Sequence, residues 1–252
     1  MKGMMKTLKW IRIVLAALSL AGMSLLLAVP GVMCAAELGW LARVQLVPAL
    51  MAGEAIVLGA ILLSVLLCGR AYCAVVCPLG IAQDVARAIL KVLRLGRPVS
   101  KAPSNSRAVR IAVLVLFAVG AVFGFTGLIA PYGMFGRFVK VGILRVGEPS
   151  LTLVAWSLLP VVAILALTAL EARWWCNQVC PVGTLLGFLS RFAFFRVRID
   201  AAKCVKCGLC ARACEKGVFA QGRDRTITVD GTKCVCCLAC AGACRKGALT
   251  WR

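Results

Sequence analysis

The sequence predicts a membrane all-α domain of four transmembrane helices, followed by a small, cysteine-rich α+β domain. Three observations lead to this fold class. Hydrophobic residues make up 62% of the 252 residues and fall in long blocks, which is too apolar for an ordinary soluble domain. Positive charge gathers between these blocks, and most of the fifteen cysteines stand in regularly spaced groups. We therefore predict a membrane domain over residues 1–199 and a second domain over residues 200–252.

Four apolar blocks have the length of membrane spans. Each holds about 20 residues, which at 1.5 Å per residue crosses a hydrocarbon core of roughly 30 Å. The blocks cover approximately residues 13–29, 46–67, 111–130 and 151–170. Basic residues precede the first block, so it is either a cleaved signal peptide or, as the length of the run favours, an uncleaved first helix.

The loops between the blocks predict the orientation. Residues 68–110 hold eight Lys or Arg residues against the single acid Asp84, whereas the loops at 30–45 and 131–150 hold far fewer basic residues. The positive-inside rule then places both termini and residues 68–110 in the cytoplasm. The expected location is the bacterial cytoplasmic (inner) membrane, crossed several times. The net charge of +21 follows from this topology, and we predict no nucleic-acid partner.

The C-terminal domain holds two cysteine arrays of identical spacing. Each reads C-x2-C-x2-C-x3-C, over Cys204–Cys214 and Cys234–Cys244, and residues around the arrays repeat at the same offset. This spacing is typical of bacterial ferredoxins with two [4Fe–4S] clusters, where the fourth cysteine of each array ligates the other cluster. Cys236 is a surplus thiol and is not a predicted ligand. The predicted ligands are Cys204, Cys207, Cys210 and Cys244 for cluster 1, and Cys234, Cys237, Cys240 and Cys214 for cluster 2.

A second repeat duplicates a C-x3-C-P motif after each pair of blocks. Arg70 to Gly80 matches Arg173 to Gly183, so the membrane domain reads as two hairpins of the same orientation. An axis along the membrane normal would bring the two motifs together at the cytoplasmic surface. Three interpretations remain open: a third iron–sulfur cluster, a tetrahedral zinc site, or a turn that docks a partner or the C-terminal domain. The cysteines concerned are Cys73, Cys77, Cys176 and Cys180.

Glu54, residues 81–95 and two further cysteines carry separate expectations. Glu54 is an acid inside the second block, so it is predicted to accept a proton during quinol oxidation, unless the block boundary leaves it near the outer headgroups. Residues 81–95 place basic side chains on one helix face and apolar side chains on another. This pattern predicts an amphipathic helix on the anionic inner surface of the membrane. Cys34 is interpreted as a small apolar filler, and Cys68 receives no role.

The chain contains no histidine, which excludes His-ligated haem, Rieske-type clusters and His-based acid–base sites within it. Electron carriers held here must rest on cysteine or be diffusing molecules such as quinones. The many cysteines in ligand spacing suit the reducing cytoplasmic face better than a disulfide framework does.

With its twin C-x3-C-P motifs and C-terminal pair of cluster arrays, the chain resembles the NapH family, whose members are membrane quinol dehydrogenase components associated with periplasmic nitrate reductase. It is similar, too, to the MauN-type and CcoG-type polyferredoxins and to the membrane half of the NosR-type regulators. The resemblance covers nearly the whole chain. It implies quinol oxidation or electron delivery to a partner reductase, and it leaves the terminal acceptor unidentified.

The expected function is membrane-bound electron transfer between the quinone pool and a partner oxidoreductase or a ferredoxin-like or cytochrome subunit. The expected cofactors are two [4Fe–4S] clusters, with a third iron–sulfur cluster and a quinone or quinol as further candidates. In this interpretation the chain is a quinol dehydrogenase-type electron-transfer subunit of a larger complex. The alternatives are an assembly or maturation factor that reduces a metal or thiol for a respiratory metalloenzyme, and a structural anchor.

Overall fold

The computed structural model describes residues 2–28, 39–94, 107–123, 130–143, 150–169, 172–222 and 226–251. Short and long α-helices build the N-terminal part, as the apolar blocks of the sequence predict. Before the first cysteine motif they are α1 (Lys2–Ala28), α2 (Gly39–Arg43), α3 (Leu46–Ala52) and α4 (Ala55–Cys68). The motif regions and the remaining blocks form α5 (Tyr72–Val75), α6 (Pro78–Val92), α7 (Arg107–Val122), α8 (Pro131–Arg137), α9 (Leu151–Leu167), α10 (Trp174–Gln178) and α11 (Pro181–Leu189).

One helix in the described ranges is long and apolar enough to cross a membrane, over residues Thr7–Leu27 of α1. The second block is not the continuous helix that we predicted. Its chain breaks between α3 and α4, where Gly53 adopts a left-handed conformation (φ 68°) and Glu54 precedes the first residue of α4. The apolar stretches Ala55–Cys68, Ala108–Ala121 and Leu151–Leu167 are shorter than a full span. Residues 124–129 of the third block, like Cys34, lie outside the described residues, and the four-span topology stays a prediction.

The two C-x3-C-P motifs lie in the core of the N-terminal part. Apolar side chains of α4, α9 and α11, among them Val65, Val161 and Leu186, surround the motif cysteines and are almost fully buried. In each copy the proline after the second cysteine is the first residue of a helix, where its missing N–H leaves no bond unmade. The motifs therefore end one short helix and begin the next, α5 to α6 and α10 to α11.

Helix α6 is oriented differently from the amphipathic surface helix that we predicted. Arg87 is only 3% exposed and donates to the carbonyl oxygens of Thr168 (3.1 Å) and Ala169 (2.9 Å) just beyond α9. The apolar residues Val85, Ile89 and Val92 are exposed instead. Of the basic face only Arg87 packs against the protein, where it supplies donors to carbonyl groups at the end of α9; Lys91 and Arg94 stay exposed.

The C-terminal part is a small α+β unit built from two similar halves. Strand β1 (Val197–Ile199) pairs antiparallel with β4 (Leu249–Trp251), and β2 (Phe219–Gln221) pairs antiparallel with β3 (Ile227–Val229). The helices are α12 (Leu209–Ala213) and α13 (Ala239–Ala243). Strand β1 of this unit begins at Val197, three residues before the predicted domain boundary.

Candidate iron–sulfur sites

Two separate cavities of the C-terminal part are lined by the cysteines of the two arrays. The larger, of about 180 Å³, lies between β1, β4 and the first array. The second is narrower and lies on the other side of the core residues Val197, Val218 and Phe219. Cysteines of both arrays contribute to each cavity, since the fourth cysteine of one array follows the helix that packs beside the other. The larger cavity is lined by Cys204, Cys207, Cys210 and Cys244, and the narrower one by Cys214, Cys234, Cys236, Cys237 and Cys240.

The backbone of each array is shaped to receive an anion. Lys206 and Gly208 have positive φ in the first array (53° and 72°), and Cys236 and Leu238 have positive φ in the second (50° and 57°). Left-handed residues between right-handed or extended ones turn successive N–H groups toward one side, which forms the concave nest found at many Fe–S sites. A non-glycine residue at positive φ is strained, so its recurrence at equivalent positions indicates a shared requirement. The cysteine donors and the backbone of both arrays therefore suit iron–sulfur ligation.

Cys236 has a backbone role in this geometry. It stands at the left-handed position that Lys206 occupies in the first array. A hydrogen bond with the Cys236 thiol lowers the pKa of Cys234 to about 7, while burial raises the pKa of Cys240 to about 12. Metal binding displaces the thiol protons, so these pKa values describe the cysteines before a cluster is present. The hydrogen bond with Cys234, followed by burial, raises the pKa of Cys236, and Cys68 at the end of α4 contributes less.

The four cysteines of the C-x3-C-P motifs are brought together by the structure. Each side chain is at most 4% exposed. Burial, first, and then the charges of Cys73 and Cys176 raise the pKa of Cys77, and burial followed by the charges of Cys176 and Cys77 raises that of Cys180. Thiols from the two halves of the repeat are therefore close neighbours.

Glycine is required in both motifs by the close approach of the backbone. A Cβ atom on Gly80 would lie 2.3 Å from the carbonyl oxygen of Cys73, and one on Gly183 would lie 2.2 Å from that of Cys176. These contacts hold each helix start against the preceding cysteine turn. The Gly183 N–H points at the Cys180 sulfur (3.4 Å), as expected for an anionic ligand at a helix N-terminus.

No group of three or more His, Cys, Asp or Glu side chains in the described ranges converges tightly enough for a single metal ion. A tetrahedral zinc ion needs four ligands at about 2.0–2.3 Å. The ligands of a cube of several atoms stand farther apart.

Arg70 joins this four-cysteine site to the second array. Its guanidinium donates to the carbonyl oxygens of Cys176 (2.7 Å) and Thr232 (3.3 Å), and to Asn177 Oδ1 (3.1 Å). The Arg70 backbone N–H donates to the carbonyl oxygen of Cys234 (3.2 Å). One residue, 3% exposed, therefore contacts a cysteine of the four-cysteine site and a cysteine of the cluster 2 set.

Arg173, the repeat equivalent of Arg70, fixes the C-terminal part through Asp84. It makes a bidentate ion pair with Asp84 (2.9 and 2.8 Å), and the Lys216 ammonium reaches the same carboxylate. Burial alone would raise the pKa of Asp84, but Arg173 and Lys216 hold that pKa well below its usual range. Asn177 donates to the Lys216 carbonyl oxygen (3.4 Å). Lys216 follows Cys214, so this network places cluster 2 ligands, and not cluster 1 ligands, against the N-terminal part.

Sequence reasoning missed the roles of Asp84, Arg70 and Arg173. Asp84 was visible as the single acid in a loop of basic residues, and the arginines as matched positions of the repeat. A lone acid among many bases is a natural ion-pair acceptor, so the signal was present.

Glu54 lies apart from these cysteines. It precedes α4 and faces Arg43 at 3.9 Å, with its side chain 30% exposed. The motif cysteines follow the other end of α4, about 20 Å away at 1.5 Å per residue. The structure therefore does not bring Glu54 into either cysteine site.

Comparisons with known proteins agree with this geometry. A family model described as a 4Fe-4S binding domain matches residues 50–97 and again residues 153–200, and each match contains one C-x3-C-P motif. Another model with the same description matches residues 197–219, which include the first array. No solved structure matches the chain.

Among the relatives are two ferredoxin-type proteins and one uncharacterised protein. The methylamine utilization ferredoxin-type protein MauN of Paracoccus denitrificans is 31% identical over 183 residues, which is 70% of this chain and 56% of the relative. The ferredoxin-type protein NapH of Escherichia coli is 29% identical over 62% of this chain and 52% of its own length. An uncharacterised protein of Methanocaldococcus jannaschii is 26% identical over 58% of this chain and 51% of its own length.

Fold, sites and comparisons define the class: a largely helical, ferredoxin-type protein with 4Fe-4S binding domains. Within that class the chain is a NapH/MauN-like polyferredoxin, which confirms the resemblance that the sequence motifs indicated. The chain spans about half the length of the curated relatives it matches.

Proposed function

We propose that this chain transfers electrons between the quinone pool and a partner reductase at the cytoplasmic face of a bacterial inner membrane. The observation that carries the proposal is the direct link through Arg70. One buried side chain bonds the backbone of Cys176 in the four-cysteine site, and its own backbone bonds that of Cys234. The redox sites are thereby held against each other, which electron transfer between them requires.

The cysteine sets have defined roles in this proposal. Cys204, Cys207, Cys210 and Cys244 would hold cluster 1, and Cys214, Cys234, Cys237 and Cys240 would hold cluster 2. When bound, such clusters supply one-electron carriers. A quinol gives up two electrons and two protons, so two such carriers match one quinol. The charged groups around Asp84 keep the second set docked on the N-terminal part.

The four-cysteine site is proposed to hold a third iron–sulfur cluster. Four buried thiols converge there, two of them stand at helix N-termini, and a 4Fe-4S family model matches each half of the repeat. Two arginines beside the site, Arg70 and Arg173, compensate negative charge. Iron and sulfide analysis of the purified chain tests this: about twelve irons per chain supports three clusters, and about eight contradicts the third.

Electron delivery across the membrane needs a further component. A hydrocarbon core of roughly 30 Å separates the two faces, and the ligand sets described above lie together on one side of it in the predicted topology. The proposal therefore includes a partner subunit with its own cofactor, or the quinone itself, as the carrier between faces.

The test of the function is reduction of the clusters by a quinol. The chain is reconstituted into lipid nanodiscs with its clusters loaded and mixed with duroquinol, and cluster bleaching is followed by stopped-flow absorbance. Bleaching on a millisecond-to-second scale supports the proposal. Reduction by dithionite without reduction by duroquinol contradicts it and favours the maturation or anchoring roles.

Glu54 remains a proposed proton acceptor for the quinol, supported by its place in an apolar block. The Glu54→Gln variant measures that role in the same experiment. A bleaching rate at least tenfold lower at neutral pH supports it, because a lost general base typically costs 10²–10⁴-fold. An unchanged rate contradicts it.

A further inference from the structure

A groove of about 700 Å³ runs along α1 and ends against the C-terminal part. The α1 residues that line the groove recur every three or four positions from Lys9 to Ser24. At 1.5 Å per residue this is a length of about 22 Å. The wall is made of small and apolar side chains, which leaves the groove wide. They include Ile13, Ala16, Ala17, Leu20 and Ala21. Helix α1 is the helix of membrane-spanning length, so this wall belongs to the apolar part of the molecule.

The other end of the groove is charged and adjoins a predicted cluster ligand. Lys91 and Glu215, which form an ion pair, line it together with Asp84 and Lys216. Cys237 of the cluster 2 set lines the same end. One cavity thus connects a membrane-length apolar surface with the immediate surroundings of a redox site.

Arg12 supplies an observation that points to a ligand. The residue lines the groove, and its Nε and Nη1 atoms are buried without a hydrogen-bond partner among the described residues. Buried donors in native proteins almost always have a partner, so an unpaired pair of donors in a cavity calls for an acceptor from outside the chain. A quinone or quinol oxygen is such an acceptor.

We propose that this groove binds the membrane quinol, with the ring at the charged end beside Cys237 and the apolar tail along α1. This inference rests on the proposed function and assigns the location of its substrate. The volume lies within the usual 300–1,000 Å³ of ligand pockets. Arg12 donates to a ring oxygen, and the carboxylate of Glu215 accepts from a ring hydroxyl group.

The groove is lined by donors and acceptors of hydrogen bonds, with Lys9, Arg12, Lys91 and Lys216 beside the carboxylates of Asp84 and Glu215. A neutral ring that both donates and accepts hydrogen bonds fits a mixed set of donors and acceptors. Glu54 does not line this groove, so a proton-accepting role of Glu54 and quinol binding here are alternatives that the Glu54→Gln variant separates.

The test is binding of a quinol analogue, 2-heptyl-4-hydroxyquinoline N-oxide, measured by quenching of its fluorescence on the cluster-loaded chain in nanodiscs. We expect Ala17→Phe to weaken binding at least tenfold, because the phenyl group occupies the groove, and Arg12→Gln to weaken it about fivefold. The matched control is Leu18→Phe, which adds bulk to a neighbouring residue that is 64% exposed and does not line the groove. Its affinity should stay within about twofold of the wild type.

The EPR signals of both clusters, unchanged in each variant, establish that the fold is intact. The proposed site is overturned if the analogue binds Ala17→Phe and the wild type with equal affinity. This holds whether or not a phospholipid co-purifies with the chain. The two proposals fail separately. If Ala17→Phe abolishes analogue binding but duroquinol does not reduce the clusters of the wild type, the site is supported and the function is refuted. Fast cluster reduction with binding insensitive to Ala17→Phe keeps the function and refutes the site.

Discussion

Replacing Asp84 by Asn should detach the C-terminal part from the four-cysteine site. The Asp84 carboxylate is the shared counter-ion of Arg173 and Lys216, which are 1% and 6% exposed. An asparagine of the same shape removes the negative charge and leaves two buried cations facing each other. The perturbation is therefore electrostatic and adds no bulk.

The magnitude follows from the burial of the partners. Removing one member of a buried ion pair typically costs 3–5 kcal/mol, because the remaining charge is uncompensated. The side chain of Asp84 is 22% exposed, which allows some screening, so we expect about 3 kcal/mol. For a chain of this size 1 kcal/mol corresponds to a shift of roughly 2–4 °C, so the apparent Tm should fall by roughly 6–12 °C.

The assay is thermal unfolding of the cluster-loaded chain in nanodiscs, followed by cluster absorbance. Lys91→Gln is the matched control, because it breaks another ion pair between the two parts whose lysine is 58% exposed, and such pairs contribute about 0–1 kcal/mol. A Tm shift for Asp84→Asn no larger than that of the control would refute the reasoning.

The pH dependence gives a second check on the same variant. The pKa of Asp84 is depressed in the folded state, so its stabilising contribution is complete above the unfolded pKa of about 3.9 and is lost as pH falls toward the folded value. The Tm difference between wild type and Asp84→Asn should be constant from pH 5 to 8 and shrink below about pH 4. A difference that grows on acidification would contradict the assignment.

Three further predictions concern the cysteine sites. Gly80→Ala and Gly183→Ala should each destabilise the chain by about 1–3 kcal/mol, because the new Cβ meets a cysteine carbonyl oxygen. In the same unfolding assay the control Gly59→Ala, which has open space at its Cβ, should be neutral or stabilising. Cys237→Ser should remove one EPR signal and Cys236→Ser neither; iron loss in Cys236→Ser would contradict the backbone role. The basic excess of the C-terminal part should raise both reduction potentials above those of acidic ferredoxins, and a potentiometric EPR titration that finds both at the low end would exclude this.

The grouping of the cysteines is readable from the sequence because short spacers limit which thiols can meet, whereas the assignment of ligands to each cluster stays a prediction. The C-x2-C-x2-C spacing holds three sulfurs within one short loop. In a duplicated module of this kind, the fourth cysteine of each array is expected to ligate the cluster of the other array. The same logic anticipated that the two C-x3-C-P motifs would meet, since a repeat of two hairpins imposes a symmetric neighbour. Local spacing and internal symmetry are therefore readable without coordinates.

Contacts between distant residues were not readable in this way. Arg87 was predicted to face lipid headgroups, yet it donates to the end of α9, because a sequence pattern gives the face of a helix and not its neighbour. The break before α4 also escaped prediction, since Gly53 and Glu54 stand within an apolar run that satisfies every length criterion. Each error concerned a tertiary contact or a single backbone conformation, which hydropathy cannot encode.

The two repeat arginines contact the C-terminal part in different ways. Arg70 and Arg173 occupy equivalent positions, but Arg70 bonds the Thr232 carbonyl and, through its own N–H, that of Cys234, while Arg173 reaches the C-terminal part through Asp84. Both connections lead to the side of the cluster 2 ligands. The cluster 1 set lines a cavity made of C-terminal residues alone, and its Cys207 is exposed. In the proposed function, electrons that enter from the membrane side would therefore reach cluster 2 first. Cluster 1 would then be the site from which a partner accepts them.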